Sequence, residues 1–237
     1  MESPRYGIDA PYVPAALGGA GVLALVAFAF TGLGTWLVIA VLFLVQAGLF
    51  LHTTLRGKFV VWEGLLDELH LAGGEEIVDL GCGRGAVLLA AAKRLPEGRA
   101  HGVDLWRSMD QSGNAESVTE HNAELLGVAD RITLHTGDLV ALPLPDGTLD
   151  VVVSSLAIHN ISSAEGRATA LDEALRVLKP GGRLVIADIK YAKRYASHLE
   201  TTDAVDVSRR SLGPSFWFGG PWQAANLVTA TKPDDAA

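Results

Sequence analysis

The segment Val78-Asp79-Leu80-Gly81-Cys82-Gly83-Arg84-Gly85 closes an apolar run and leads at Ala86 into an alanine- and leucine-rich helical pattern. Glycines at alternate positions permit a tight turn and let a ligand approach the backbone, and the next helix begins with unpaired N–H groups. Asp104, at the end of the following apolar run, offers a carboxylate able to accept both hydrogen bonds of a ribose diol. The pair points to a ligand containing a nucleoside. The relaxed dinucleotide spacing Gly81-x-Gly83-x-x-Ala86 fits as well, so a nicotinamide-dependent oxidoreductase stays open at this point. His159 and Asn160 follow the run Leu149–Leu156, where strand ends face the ligand crevice of an open α/β sheet. An imidazole titrates near neutrality and suits a general base, although a packing histidine and an asparagine helix cap are the plain alternatives. Asp110 and Gln111 lie in the polar loop Ser108–Asn114, either facing substrate or forming a turn. The single cysteine, Cys82, excludes a disulfide framework, and the scattered histidines lack ligand spacing, so no metal is expected.

Such groups need a scaffold that brings distant stretches together. Glu76–Leu80, Ala100–Trp106, Ile132–His135, Leu149–Leu156 and Arg183–Ile189 read as buried strands. Ala86–Leu95, Ala115–Leu126 and Ala164–Leu178 carry apolar residues at helical spacing between them. This alternation predicts a parallel sheet with helices on both faces. A further helix over Tyr191–Leu199 and extended segments at Ala204–Leu212 and Ala225–Ala230 complete the pattern, the last two as a terminal hairpin. Phe216-Trp217-Phe218-Gly219-Gly220-Pro221-Trp222 lies between them as a substrate lid, an interfacial anchor or core.

Several of these stretches carry more than spacing. Asp79–Gly85 resembles motif I of class I S-adenosylmethionine (SAM)-dependent methyltransferases, and Gly102-Val103-Asp104-Leu105 resembles their second motif. Gly137-Asp138 followed by Leu142–Asp146, Leu149–Ser155, and Arg176–Leu184 resemble the later motifs in family order, over about residues 75–190. The resemblance implies a Rossmann-like α/β fold with parallel strands and a C-terminal antiparallel hairpin strand. It also implies SAM as cofactor. Gly81, Cys82, Gly83 and Gly85 would then line the methionine and ribose portion, with Asp79 at the amino end. Asp104 would take the ribose hydroxyls, and Leu105 or Trp106 would pack on adenine beside Gly137, Asp138 and Leu139. Ser154 belongs to the fourth motif. The segment Leu156–Ile161 is similar to the corresponding loop of ubiquinone/menaquinone C-methyltransferases, but His159 stands where arginine is usual there. The resemblance makes His159, Asn160 and Asp110 the candidates for acting on the methyl acceptor.

The N-terminus belongs to a different solvent. Forty-six residues between Asp9 and Arg56 contain no Asp, Glu, Lys or Arg. As one helix they would extend roughly 70 Å, more than twice a bilayer core of about 30 Å. The break at Thr31–Thr35 divides them into spans of about 13–30 and 35–51, with Gly18, Gly19 and Gly21 allowing close helix approach. Tyr12 and Trp36 suit the interfaces. A cleaved signal peptide, a buried soluble hairpin and a hairpin lying in one leaflet are the competing readings. The expected organisation is a membrane hairpin over 1–55, an amphipathic connecting helix over 56–74, the methyltransferase domain over 75–232 and a disordered tail over 233–237. Arg5, Arg56 and Lys58 flank the spans and place the catalytic domain on the cytoplasmic side of an inner membrane. Residues 1–60 carry a net charge of +1 and the remainder −9, which excludes a general nucleic-acid binder. The expected acceptor is a small lipophilic molecule such as a prenylated quinone, a lipid or a hydrophobic metabolite. A soluble thiol, phenol or amine is the second reading, and a SAM-binding sensor without catalysis the third. On the first, removing residues 1–55 leaves SAM binding intact and abolishes turnover of a membrane-dissolved acceptor. Composition says nothing of oligomeric state.

Overall fold

Valine- and leucine-rich runs form the strands, and their pairing partners are distant in sequence. The computed structural model describes residues 2–234, so Met1 and the last three residues of the expected tail lie outside the described residues. The sheet strands are β1 (Glu76–Leu80), β2 (Arg99–Asp104), β3 (Ile132–Thr136), β4 (Leu149–Ser155), β5 (Leu178–Asp188), β6 (Val205–Ser211) and β7 (Asn226–Thr231). Their spatial order is β3-β2-β1-β4-β5-β7-β6, parallel through β5, with β7 antiparallel to both β5 and β6. This is the Rossmann-like arrangement expected, with the antiparallel hairpin at one edge. β5 begins at Leu178, before the Arg183 expected, because Leu178 pairs with Leu149 across an irregularity in the ladder.

Alternation along the strands feeds two cores. On one face Ile77, Val151, Val153 and Val185 pack under α3 (Lys58–Glu68) and α4 (Ala86–Ala92), with Trp62, Leu65 and Leu66 pressed against the sheet. On the other face Val78, Leu80, Val152 and Ile186 pack with Ala170, Leu171 and Ala174 of α6 (Ala164–Val177) and Tyr195 of α7 (Ala192–Leu199). The remaining helix of the sheet domain, α5 (Glu116–Leu126), follows the loop after β2.

The N-terminal helices are α1 (Tyr12–Thr31) and α2 (Gly34–His52), joined at Gly32 and Leu33. Both are long and apolar enough to cross a membrane, and most of their residues are not covered by protein. Gly21 alone of the three glycines named above sits at the helix contact, where Leu44 of α2 fills the space of a side chain. Gly18 and Gly19 have no atom from outside their own helix within 4 Å of a Cβ position, so neither marks a close helix contact.

No break separates α2 from the connecting helix. Helical structure continues from Gly34 to Glu68 through a π-helical turn at Thr53–Gly57. A π turn shifts the helix phase, and here it brings Thr53, Thr54, Gly57 and Lys58 onto the buried side. The segment that follows β6 docks there. Thr53 Oγ1 donates to the Trp217 carbonyl at 2.6 Å, and Phe50 meets Phe218 edge-on at 5.1 Å. Phe216 and Phe218 are therefore core, while Trp222 is 68% exposed.

Gly57 is where the helix and this segment come closest, and a methyl group there would fall 1.9 Å from the Ser215 carbonyl oxygen. Gly57→Ala is expected to cost about 2 kcal/mol and lower the thermal midpoint by about 6 °C. Gly64→Ala, two turns further along the helix at an exposed position with open space around it, is expected to be neutral or to stabilise by up to about 1 kcal/mol. Scanning fluorimetry of the two variants separates overpacking from helix propensity.

Candidate active site

The carboxyl ends of β1, β2, β4 and β5 converge on one cavity of about 1060 Å³. β1 turns into α4 through the glycine loop, where Gly81, Gly83 and Gly85 have φ of +75°, +52° and +84°. A side chain at Gly81 would strike Ala157, and one at Gly83 would strike Gln111. Gly81, Cys82 and Gly83 line the cavity, but Gly85 does not. Gly85 lies against Leu89 and Thr119, and its part is to seat α4 rather than to touch a ligand. Cys82 is buried, and burial pushes its thiol well above the usual value, so it is a wall and not a nucleophile.

Three aspartates at strand ends define the polar floor. Asp79 is buried, and its Oδ2 accepts from Leu88 N at 2.9 Å while Oδ1 has no partner. Burial pushes its carboxyl up to about 7. Asp104 accepts from Gly83 N at 2.9 Å through Oδ2 and from Trp106 N at 2.6 Å and Asn114 Nδ2 at 3.1 Å through Oδ1. Asn114 also lines the cavity and has a buried Oδ1 without a partner. Asp188, fully buried at the end of β5, faces His159. His159 Nδ1 lies 2.6 Å from Asp188 Oδ1, and its backbone N–H donates to Oδ2 at 3.1 Å. Ile189 N and the Tyr195 hydroxyl donate to the same carboxylate. The Nδ1 contact is close but lacks hydrogen-bond alignment, and Nε2 is the ring nitrogen directed away from Asp188.

Of the other residues singled out by sequence, Leu105, Gly137, Asp138, Leu139, Asp110 and Asn160 all line this cavity. Asp138 Oδ1 also accepts from Val140 N, the bond of a turn cap, and burial raises the Asp110 carboxyl above its usual value. Two expected residues are elsewhere. Trp106 is absent from the lining because a left-handed backbone (φ +56°) turns its indole to Thr136 and the core. Ser154 is buried and donates to the Leu80 carbonyl, and the adjacent Ser155 lines the cavity in its place. Alternation along β4 makes a one-residue difference a change of face.

The cavity also reaches residues that motif reading passed over. Leu17 of α1, Gln46 and Phe50 of α2, and Lys58 of α3 share its wall with Asp9 and Trp222. Lys58 is 4% exposed, with Nζ 2.8 Å from Asp9 Oδ2. A signal existed. Asp9 and Lys58 are nearly the only charges bordering the long uncharged run, and Asp188 ends a predicted strand.

Comparison with known proteins gives the site a chemical context. Residues 78–186 match the family model described as a methyltransferase domain. A ubiquinone/menaquinone biosynthesis C-methyltransferase of Roseobacter denitrificans is 36% identical over 126 residues, 53% of this chain and 47% of that protein. A demethylmenaquinone methyltransferase of Symbiobacterium thermophilum is 36% identical over 131 residues, 54% and 49% of the two chains. The chain thus spans about half the length of the curated relatives it matches. Among solved structures, a geranyl diphosphate C-methyltransferase of Streptomyces coelicolor superimposes with a TM-score of 0.60 at 18% identity, covering 76% of this chain and 80% of that one. At that identity the likeness concerns the fold.

The residues fit SAM. Its ammonium and ribose hydroxyls are donors, and the wall holds two buried acceptors without partners, Asp79 Oδ1 and Asn114 Oδ1. Asp79 is neutral below its raised value of about 7 and supplies the counter-charge only above it. SAM affinity is therefore expected to rise about eightfold from pH 6 to pH 7.5. Asp79→Asn should bind more weakly and lose that dependence, as calorimetry across the range would show. Residues 78–186 of this chain thus match a methyltransferase-domain model, and the sheet built around them has the fold of solved methyltransferases.

Proposed function

We propose that the protein is a membrane-anchored methyltransferase that moves the methyl group of SAM to a small lipophilic acceptor of the prenylated-quinone or lipid type. One observation carries this reading. The cavity that holds the glycine loop, Asp104 and His159 also holds Leu17, Gln46 and Phe50 of the two apolar helices. An acceptor with an apolar tail can lie against the helices and still bring its reactive head to the cofactor. Two spans leaving the bilayer on the side of Arg5 and Arg56 support a cytoplasmic catalytic domain. Lys58 is excluded from that count because Asp9 neutralises it.

SAM supplies a methyl group already activated on a sulfonium. The protein's work is to align the acceptor atom, exclude water and take one proton. His159 Nε2 would take the acceptor's proton, with Asp188 beside the resulting imidazolium; bound SAM would supply the methyl group, its C–S bonding pair returning to sulfur as S-adenosylhomocysteine leaves. Asn160 and Asp110 border the same space as positioning groups. The curated relatives act in quinone biosynthesis by name, and His159 separates this chain from their usual loop.

His159→Ala is expected to lower kcat about 100-fold or more while SAM affinity stays within about twofold. The acceptor class is tested with the full chain in nanodiscs, supplied with hydroquinones bearing one to eight isoprene units. Turnover efficiency should rise at least about tenfold with tail length. Equal turnover of the bare head group would move the assignment to a soluble phenol, thiol or amine. Tight SAM binding with no turnover of any acceptor would indicate a sensor.

A further inference from the structure

The polar loop Ser108–Asn114 is larger than a strand-to-helix turn requires, and the proposed reaction uses only Asp110 from it. The side chains of Gln111 and Ser112 face the N-terminal segment. Residues 5–10 lie across the loop and α5 as a strap. Ser112 N donates to the Ile8 carbonyl and Ile8 N to Ser112 Oγ, Ala10 N donates to the Asp110 carbonyl, and Asn122 bonds both the N–H and the carbonyl of Arg5. Asp9 and Gln111 pair as an isolated antiparallel bridge.

At that bridge the contacts form a chain between the two parts of the molecule. Gln111 Oε1 accepts from Arg84 N in the glycine loop at 2.9 Å and packs where a side chain on Gly83 would sit. Gln111 Nε2 donates to Asp9 Oδ1 at 3.1 Å. Asp9 Oδ2 in turn accepts from Thr54 Oγ1 at 2.6 Å and from Lys58 Nζ at 2.8 Å, both at the π turn of the long helix. Every member is wholly or partly withdrawn from solvent, so an unmade bond here costs more than it would at a surface.

We infer that Gln111 and Asp9 are positioning residues through which the N-terminal helices hold the glycine loop in its cofactor-binding shape. The inference rests on the SAM reading of that loop and adds to it. The cofactor site then extends beyond the methyltransferase domain, and its affinity depends on Thr54, a residue of the long helix that does not line the cavity. The expectation that residues 1–55 can be removed without loss of SAM binding changes with it, since Asp9 and Thr54 leave with them.

Thr54 gives the discriminating variant because it is fully buried and does not line the cavity. In the full chain in detergent, Thr54→Val is expected to raise the Kd for SAM about fivefold and Gln111→Met about tenfold, with the double variant no weaker than Gln111→Met alone. A strap that only stabilises the fold would lower the thermal midpoint and leave the Kd of the folded protein unchanged. A Kd within twofold of wild type in folded Gln111→Met overturns the inference, as does one within twofold in Thr54→Val, and as do losses that add in the double variant. Wild-type protein that binds no SAM would overturn the cofactor reading and this inference together.

Discussion

The site exists because β1 is hydrogen-bonded in parallel to β2 on one side and β4 on the other. Leu80 lies level with Val103 and with Ser154, so three chains end at one height and turn outward together. Ser155 is level with Ala187 of β5, which adds Asp188 to the same rim. The aspartates that end β2 and β5, and Asp79 near the end of β1, are each held by a backbone N–H of the segment that follows. Leu88 holds Asp79, Gly83 and Trp106 hold Asp104, and His159 and Ile189 hold Asp188. What distinguishes them is the capacity left over. Asp79 keeps a buried oxygen free, whereas Asp188 has one oxygen 2.6 Å from an imidazole nitrogen. One geometric constraint thus leaves one carboxylate open to a donor and sets another against a histidine.

A second polar centre lies where the apolar helices meet the sheet domain. A buried Lys–Asp pair is seldom a source of net stability, since desolvation offsets much of the attraction. Asp9 nevertheless has three side-chain donors and Lys58 is almost wholly enclosed, which fixes one register between strap, helix and loop. The pair's value is specificity of docking. Apolar contacts such as Phe50 on Phe218 supply area without a preferred register.

The sheet and the glycine loop were legible because their signals are local. Strand runs, helix spacing and a strand–glycine–helix succession repeat within windows of a few residues. Gly85, Ser154 and Trp106 sit inside that legible region, yet their roles depended on side-chain direction. Periodicity places Ser154 and Ser155 on opposite faces without saying which faces the ligand, and the positive φ of Trp106 has no marker in its neighbours. The strap was illegible for a different reason. Its contacts join residues 45 to 117 positions apart, and no local pattern encodes them. Only the isolation of Asp9 and Lys58 at the margins of an uncharged stretch hinted at a partnership.

The continuity of the helix from Gly34 to Glu68 makes it a lever. A hinge at residue 55 would let the two ends move independently, but a π turn keeps the backbone bonds that transmit bending. From Gly34 to Lys58 the rod is about 36 Å long, and a tilt of about 10° at its far end displaces Lys58 by about 6 Å. That is twice the length of the bonds Lys58 and Thr54 make to Asp9. Tilt of the apolar end is thereby coupled geometrically to the contacts of Asp9 and Gln111 with the glycine loop.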